Sequence, residues 1–232
     1  YKSSSFAIEL ARKHDAVMHV LHLTTEKEMP QFSPGHRSDK RITAEVCVHH
    51  LWFDESRYDE LGSRIKCNPA IKRAEDRQAL VRAVNEGRID VIATDHAPHT
   101  WEEKQGPYFK APAGLPLVQH AMLTLFDLVA GGQLSIELAV DRACHAAADL
   151  FGVVDRGYVR EGWFADLVLV DPERPYRVSN SNVLYKCGWS PFEGHEFSAT
   201  IDTTIVNGQV VWSDGQLSGV KPGARLEFTR AR

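Results

Sequence analysis

The 232-residue sequence predicts an α/β protein, with parallel βα units over residues 1–150 and a smaller, mostly β domain over residues 151–232. Three observations support that division. Short apolar runs alternate with helix-like segments through the first 150 residues, the pattern of strands joined by helical crossovers. Several helix-like segments carry their own cap or stop residue. After Gly152 the texture changes to short β-type runs separated by Asn-Gly and Asp-Gly turns, a strong hairpin signal.

The elements follow in order. Residues Ser3 to His14 place Phe6, Ala7, Leu10 and Ala11 on one helical face, with serines available as caps. Ala16 to Leu23 is an apolar run short enough for a buried strand, and Ile42 to Val48 is a second. Arg64 to Cys67 reads as a short third. Ala74 to Glu86 reads as a helix stopped by Gly87, and Ile89 to Thr94 as another buried strand. Two more helices are expected. One runs from Leu117 to Val129 before Gly131-Gly132, and one starts at Ser135 as N-cap and ends near Gly152. Beyond it, Ala165–Val170 and Thr203–Trp212 read as strands, with turns at Asn207-Gly208 and Asp214-Gly215. The parallel βα units fit a barrel or a doubly wound sheet equally well.

Composition narrows the function classes. Apolar residues make up 43% and charged residues 25%, ordinary for a globular chain. The net charge is −4 with both signs interspersed, so no basic stripe marks a nucleic-acid partner. No apolar run approaches the roughly 18 residues needed to cross a bilayer, so no membrane partner is expected. Cys47, Cys67, Cys144 and Cys187 are far apart with no CxxC pair, which argues for free thiols in a reducing cytoplasm. The sequence begins without Met and with helix-like residues, as though inside a domain.

The strongest local feature is Thr94-Asp95-His96-Ala97-Pro98-His99, at the end of an apolar strand. In a βα barrel the C-terminal strand ends face the active site, so Asp95 is a catalytic candidate. An Asx-turn, with Asp95 capping the next segment, explains it equally well. His22 sits at the end of its own strand and would reach the same rim; His plus Asp suits a divalent metal such as zinc. A hydrogen-bonded core histidine is the competing reading. His49-His50 are adjacent, and neighbours on a strand face opposite sides, so they read as structural. The long loop from Pro98 to Gly114, with Trp101, Tyr108 and Phe109, reads either as a lid or as rim packing.

These segments together resemble the dihydroorotases, cyclic amidohydrolases. The matching pieces are His19-Val-Leu-His-Leu-Thr-Thr25, Thr43-Ala-Glu-Val-Cys-Val-His-His-Leu51, Asn68-Pro-Ala-Ile-Lys72, Ala93-Thr-Asp-His-Ala-Pro-His99, Ala111-Pro-Ala-Gly-Leu115 and Gly162-Trp-Phe-Ala-Asp-Leu-Val-Leu169. The resemblance implies the C-terminal part of a (β/α)8 TIM-like barrel followed by a small β-sandwich-type domain. It implies one or two zinc ions held by an HxH pair, a bridging carboxylated Lys or Asp, two His and one Asp. His22 matches the last His and Asp95 the Asp; the other ligands are expected upstream of Tyr1. It places Asn68, His99, Ala113 and Gly114 around the substrate, dihydroorotate, with His99 pairing its carboxylate. Asp95 would be the catalytic proton shuttle in reversible hydrolysis to N-carbamoyl-L-aspartate. The implied setting is cytoplasmic pyrimidine biosynthesis, and a homo-oligomer is compatible with it. Alternatives are another cyclic amidohydrolase, such as an allantoinase or dihydropyrimidinase, and a non-catalytic dihydroorotase-like scaffold.

Overall fold

A computed structural model describes residues 1–229, which divide into two compact units. The first comprises Tyr1–Leu125 with Arg177–His195, and the second comprises Phe126–Tyr176 with the chain from Glu196 onward.

The first unit opens with helix α1 (Lys2–Lys13). Its buried face is Ile8 and Ala11, whereas Phe6 and Leu10 are exposed, so the face anticipated from Phe6 and Leu10 is turned outward. Apolar residues lie around much of this helix, and docking rather than periodicity selects which of them is buried. No side chain caps its start; Ser4 Oγ instead donates to Tyr1 O at 3.1 Å. Three parallel strands follow: β1 (Met18–Val20), β2 (Ile42–Cys47) and β3 (Val91–Ala93), with β2 in the centre. Strand β2 is buried from Thr43 to Cys47, on both faces, as expected for the middle of a parallel sheet covered by helices.

Two expectations fail here. Chain 64–67 is not a strand: Gly62–Ile65 forms a 3-10 turn, and Gly62 carries φ +51. Ile65 and Cys67 are still buried, because alternation over the four residues Arg64 to Cys67 does not require a paired strand. The chain also leaves the extended state at Cys47, and helix α2 (Val48–Trp52) holds both His49 and His50. The opposite-face argument for those two residues therefore does not apply.

Helix α3 (Tyr58–Leu61) precedes α4 (Ala74–Asn85), which buries Ala79, Leu80, Ala83 and Val84. Gly87 follows it with φ +69. At the N-terminal end of β3, Asp90 is fully buried and paired with Lys40 at 2.7 Å, side chains 0% and 5% exposed. Asp90 Oδ2 also accepts the Ala44 amide at 3.0 Å, while the Asp90 amide donates to Ala44 O at 2.9 Å. The carboxylate thus ties β3 to β2 below the sheet. Beyond the sheet come α5 (Trp101–Lys104) and α6 (Ala121–Ala130). Helix α6 starts after the expected Leu117 because the Leu117 and Val118 amides both donate to His96 Nδ1, at 2.9 and 3.2 Å.

In the second unit Ser135 caps a helical run as expected, accepting the Leu138 amide at 3.1 Å. The run consists of α7 (Ile136–Val140), a π-helical turn at Asp141–His145 and α8 (Ala146–Phe151), and it ends at Gly152 with φ +64. Strand β4 (Leu167–Asp171) follows, and two-residue strands β5 (Tyr176–Arg177) and β6 (Glu196–Phe197) lie where the chain passes between units. The antiparallel sheet is completed by β7 (Thr200–Val206), β8 (Gln209–Ser213) and β9 (Gln216–Leu217), in the order β4-β7-β8-β9. Both hairpin turns have φ > 0 at the two central residues, Asn207-Gly208 and Asp214-Gly215, the conformation their sequences favour. All four cysteines are free. No helix among the described residues is long and apolar enough to cross a membrane.

Candidate active site

The residues expected to carry chemistry, His22 and Asp95, lie just beyond the C-terminal ends of two of the three parallel strands. Strand β1 ends at Val20, and two residues later His22 adopts φ +39; β3 ends at Ala93, and two residues later Asp95 adopts φ +46. Left-handed backbone is uncommon for residues other than Gly and costs on the order of 1 kcal/mol, and such strain gathers at functional positions. Strand alternation therefore does not place His22; a sharp turn does. Strands β1 and β3 flank β2, so the two turns lie about 10 Å apart across the sheet, twice the usual strand spacing. Their charges converge on the end of β2. Asp95 helps raise the Cys47 and Cys67 thiols, after burial as the main cause, and His22 helps hold down His49 and His50.

Both competing readings of these residues lose support. Asp95 makes no Asx-turn: the Ala97 amide that such a turn would use donates instead to Leu115 O, at 3.0 Å. His22 is half-buried, and neither its ring nitrogens nor the Asp95 carboxylate is hydrogen-bonded among the described residues. An imidazole nitrogen and a carboxylate left unclaimed at the ends of the two strands that flank β2 form a donor set that suits zinc, and they supply two of the ligands a site needs. The neighbouring His19 is engaged elsewhere, with Nδ1 2.8 Å from Thr43 Oγ1 and Nε2 3.2 Å from Glu45 Oε2. His96 is also structural, because an Nδ1 that accepts two amides has no lone pair left to offer.

Between the two turns lies a buried group whose two histidines read as structural in the sequence, on a strand geometry that the chain does not adopt. Cys47, His49 and His50 are 0, 1 and 3% exposed, and one ligand atom of each lies within 4.8 Å of the others. Burial, with His50 and His22 adding to it, drives the His49 pKa well below its ordinary value. Burial likewise lowers His50 to about 4. Both rings are therefore neutral near pH 7.

The loop from Pro98 to Gly114 brings three of the anticipated substrate residues together. His99 Nε2 lies 3.1 Å from Ala113 O, and a Cβ on Gly114 would stand 3.2 Å from His99 Cδ2. Gly114 has φ +137, and that added Cβ would come within 2.4 Å of Ala97 O, so only glycine fits. Asn68 is exposed just beyond Lys66, whose carbonyl accepts the Gly114 amide at 2.9 Å. Gly114→Ala is expected to raise KM about tenfold and to cost about 2 kcal/mol of stability, the scale of an overpacked contact. Steady-state kinetics and thermal unfolding measure the two effects.

Two lysines anchor this loop. Lys104 is fully buried, and its ammonium donates to Lys66 O, Pro112 O and Gly114 O at 3.3, 2.9 and 3.0 Å. Lys66 Nζ donates to Tyr108 O and Ala111 O at 2.7 and 2.5 Å. Burial lowers the Lys104 pKa to about 8. Thr100 and Glu103 form a reciprocal capping box on α5, the sequence signal that does mark this turn. Nothing in the sequence marks Lys104 as buried, since lysine is ordinarily exposed. Lys104→Met leaves three carbonyls without their shared donor; a loss of about 2 kcal/mol is expected, together with faster proteolysis near Gly106. Limited proteolysis checks the second effect.

The amidohydrolase family profile matches residues 6–211. The dihydroorotase of Halobacterium salinarum is 36% identical over 214 residues, covering 91% of this chain and 49% of that protein. The dihydroorotase of Clostridium acetobutylicum is 33% identical over 206 residues, covering 88% of this chain and 48% of that protein. Among solved structures, the L-hydantoinase (dihydropyrimidinase) of Arthrobacter aurescens matches with a TM-score of 0.82 at 25% identity, over 91% of this chain and 48% of that one. The inactive dihydroorotase-like domain of a Chaetomium thermophilum CAD-like multifunctional protein matches with a TM-score of 0.67 at 20% identity, over 94% of this chain and 57% of that one. The chain thus spans about half the length of the curated relatives it matches. With parallel βα units, polar residues at the C-terminal strand ends and a family match over most of its length, the chain belongs to the amidohydrolase family.

Proposed function

We propose that the protein carrying this chain is a zinc-dependent dihydroorotase that reversibly opens dihydroorotate to N-carbamoyl-L-aspartate. The observation that carries this reading is the pair His22 and Asp95, each held at positive φ beside the central strand with its polar atoms unclaimed. The curated relatives cited above, named dihydroorotase, supply the ring substrate. His22 and Asp95 would hold zinc, with further ligands from outside this chain. When bound, the metal supplies an activated water and a polarised ring carbonyl.

The chain's own residues do the rest. Asp95 is exposed, so its carboxylate can take the proton of the attacking water and pass it to the departing ring nitrogen. His99 is about one-third exposed and would offer a ring N–H to the substrate carboxylate; its present contacts are Ala113 O and, at 3.7 Å, Glu103. Main-chain groups of Ala113 and Gly114 would meet the ring, and Asn68 would close that side. The reaction places the substrate in pyrimidine synthesis in the cytoplasm.

The structural likeness to hydantoinases favours a second reading, hydrolysis of hydantoin or dihydrouracil rings. The longest natural product containing this chain, loaded with zinc, is assayed on dihydroorotate, hydantoin, dihydrouracil and allantoin. Turnover of dihydroorotate at least about a hundredfold above the others in kcat/KM is expected. Preference for hydantoin or dihydrouracil would transfer the assignment to the second reading, and inertness towards all four would point to a scaffold.

A further inference from the structure

We propose that Cys47, His49 and His50 form a binding site for a borderline-soft divalent metal of the zinc class, built from residues other than His22 and Asp95. Three observations carry it. First, the backbone changes state inside the segment: Cys47 is extended, at φ −92 and ψ 147, while His49 and His50 lie in the first turn of α2. Residues that would diverge along a strand are thereby gathered, and one ligand atom from each lies within 4.8 Å of the other two. Tetrahedral zinc, with bonds of about 2.3 Å to sulfur and about 2.0 Å to nitrogen, needs ligand atoms roughly 3.5 Å apart. An approach of about 1 Å therefore closes the site.

Second, the donors are unclaimed although buried. Both ring nitrogens of His49 and Nδ1 of His50 have no hydrogen-bond partner among the described residues. His50 Nε2 lies 2.9 Å from Pro69 O. A carbonyl can only accept, so Nε2 carries the proton and Nδ1 keeps its lone pair. A metal-ligating histidine is commonly oriented in this way, by donating its other N–H to a backbone carbonyl. Third, the donor set is one thiol and two neutral imidazoles with no carboxylate, which favours zinc or cobalt over magnesium or calcium. On binding, the Cys47 thiol proton passes to solvent, and thiolate plus divalent ion leave the site at charge +1. Affinity should therefore rise with pH. The nearby Cys67 is engaged, its thiol donating to Pro69 O at 3.1 Å.

Cobalt(II), added without oxygen to the full chain, is the probe, because only a thiolate ligand produces a sulfur-to-cobalt charge-transfer absorption. We expect that absorption to saturate near one equivalent, to be displaced by zinc, and to persist in a His22→Ala, Asp95→Asn double variant. It should vanish in Cys47→Ala, remain in Cys67→Ser, and need at least about tenfold more cobalt in His49→Gln. Circular dichroism of each variant checks the fold, and the unaltered chain is decisive by itself. No charge-transfer absorption at saturating cobalt overturns the proposal. So does an absorption that survives Cys47→Ala, or one lost with His22 and Asp95.

Discussion

Asp95→Asn is expected to lower kcat by about a thousandfold in the metal-complete protein while leaving the fold intact, within the range of a lost general acid–base group. The fold should survive because the position asks little of its neighbours. Asp95 is exposed and adopts φ +46, a conformation that asparagine tolerates nearly as well as aspartate. The Ala97 amide, which an Asx-turn would use, already donates to Leu115 O, so no capping bond is lost. The amide cannot accept the proton of the attacking water, and it is a poorer metal ligand than a carboxylate. Kinetics, thermal unfolding and metal content together separate these roles. Normal metal content with lost turnover isolates proton transfer, and lost metal reports the ligand. Turnover within a few-fold of normal would remove Asp95 from the chemistry altogether.

Asp90→Ala, five residues earlier and just before β3, is expected to do the reverse: to cost about 3–5 kcal/mol of stability without a direct effect on the chemistry. The Asp90 carboxylate is wholly buried, accepts from Lys40 Nζ and from the Ala44 amide, and lies below the sheet. Removing it strands the Lys40 ammonium, whose side chain is 5% exposed, with only Gly87 O as a polar contact among the described residues. For a chain of this size the loss corresponds to a fall in Tm of about 10 °C. The double variant Lys40→Met, Asp90→Leu should recover most of it, because an apolar pair of similar volume removes both desolvation penalties. Thermal unfolding of the two variants tests the pair. A single variant costing no more than about 1 kcal/mol, the scale of a surface pair, would show that the charge is not committed in this way.

The order of helices and strands in the first 150 residues was legible because its signals are local. Ser135 caps its helix, Gly87 and Gly152 take up positive φ after theirs, and Asn207-Gly208 and Asp214-Gly215 turn their hairpins. Each depends on residues within one turn of the chain. The misread elements were those where local pattern underdetermines the outcome. Residues 64–67 alternate polar and apolar as a strand would but begin within a 3-10 turn, the buried face of α1 is chosen by docking, and β2 bends into a helix before His49.

The candidate site was legible only in part, for the same reason. The strand end at Asp95 and its resemblance marked the residue, but His22 reached the rim by a left-handed turn rather than by alternation. Lys104 and Lys66, which fasten the loop holding Ala113 and Gly114, looked like ordinary surface lysines.

Sequence by itself determined the α/β class, the placement of most helices and hairpins, and the resemblance that singles out His22, Asp95, Asn68, His99, Ala113 and Gly114. Only the tertiary structure separated the two aspartates that flank β3, tying one into a buried ion pair and leaving the other on an open rim. Asp90 and Asp95 stand at opposite ends of β3, and what separates them is a lysine fifty positions before Asp90 and an open rim around Asp95. A carboxylate's role is set by the charges and the burial that reach it through space, and those arise only once the strands are side by side.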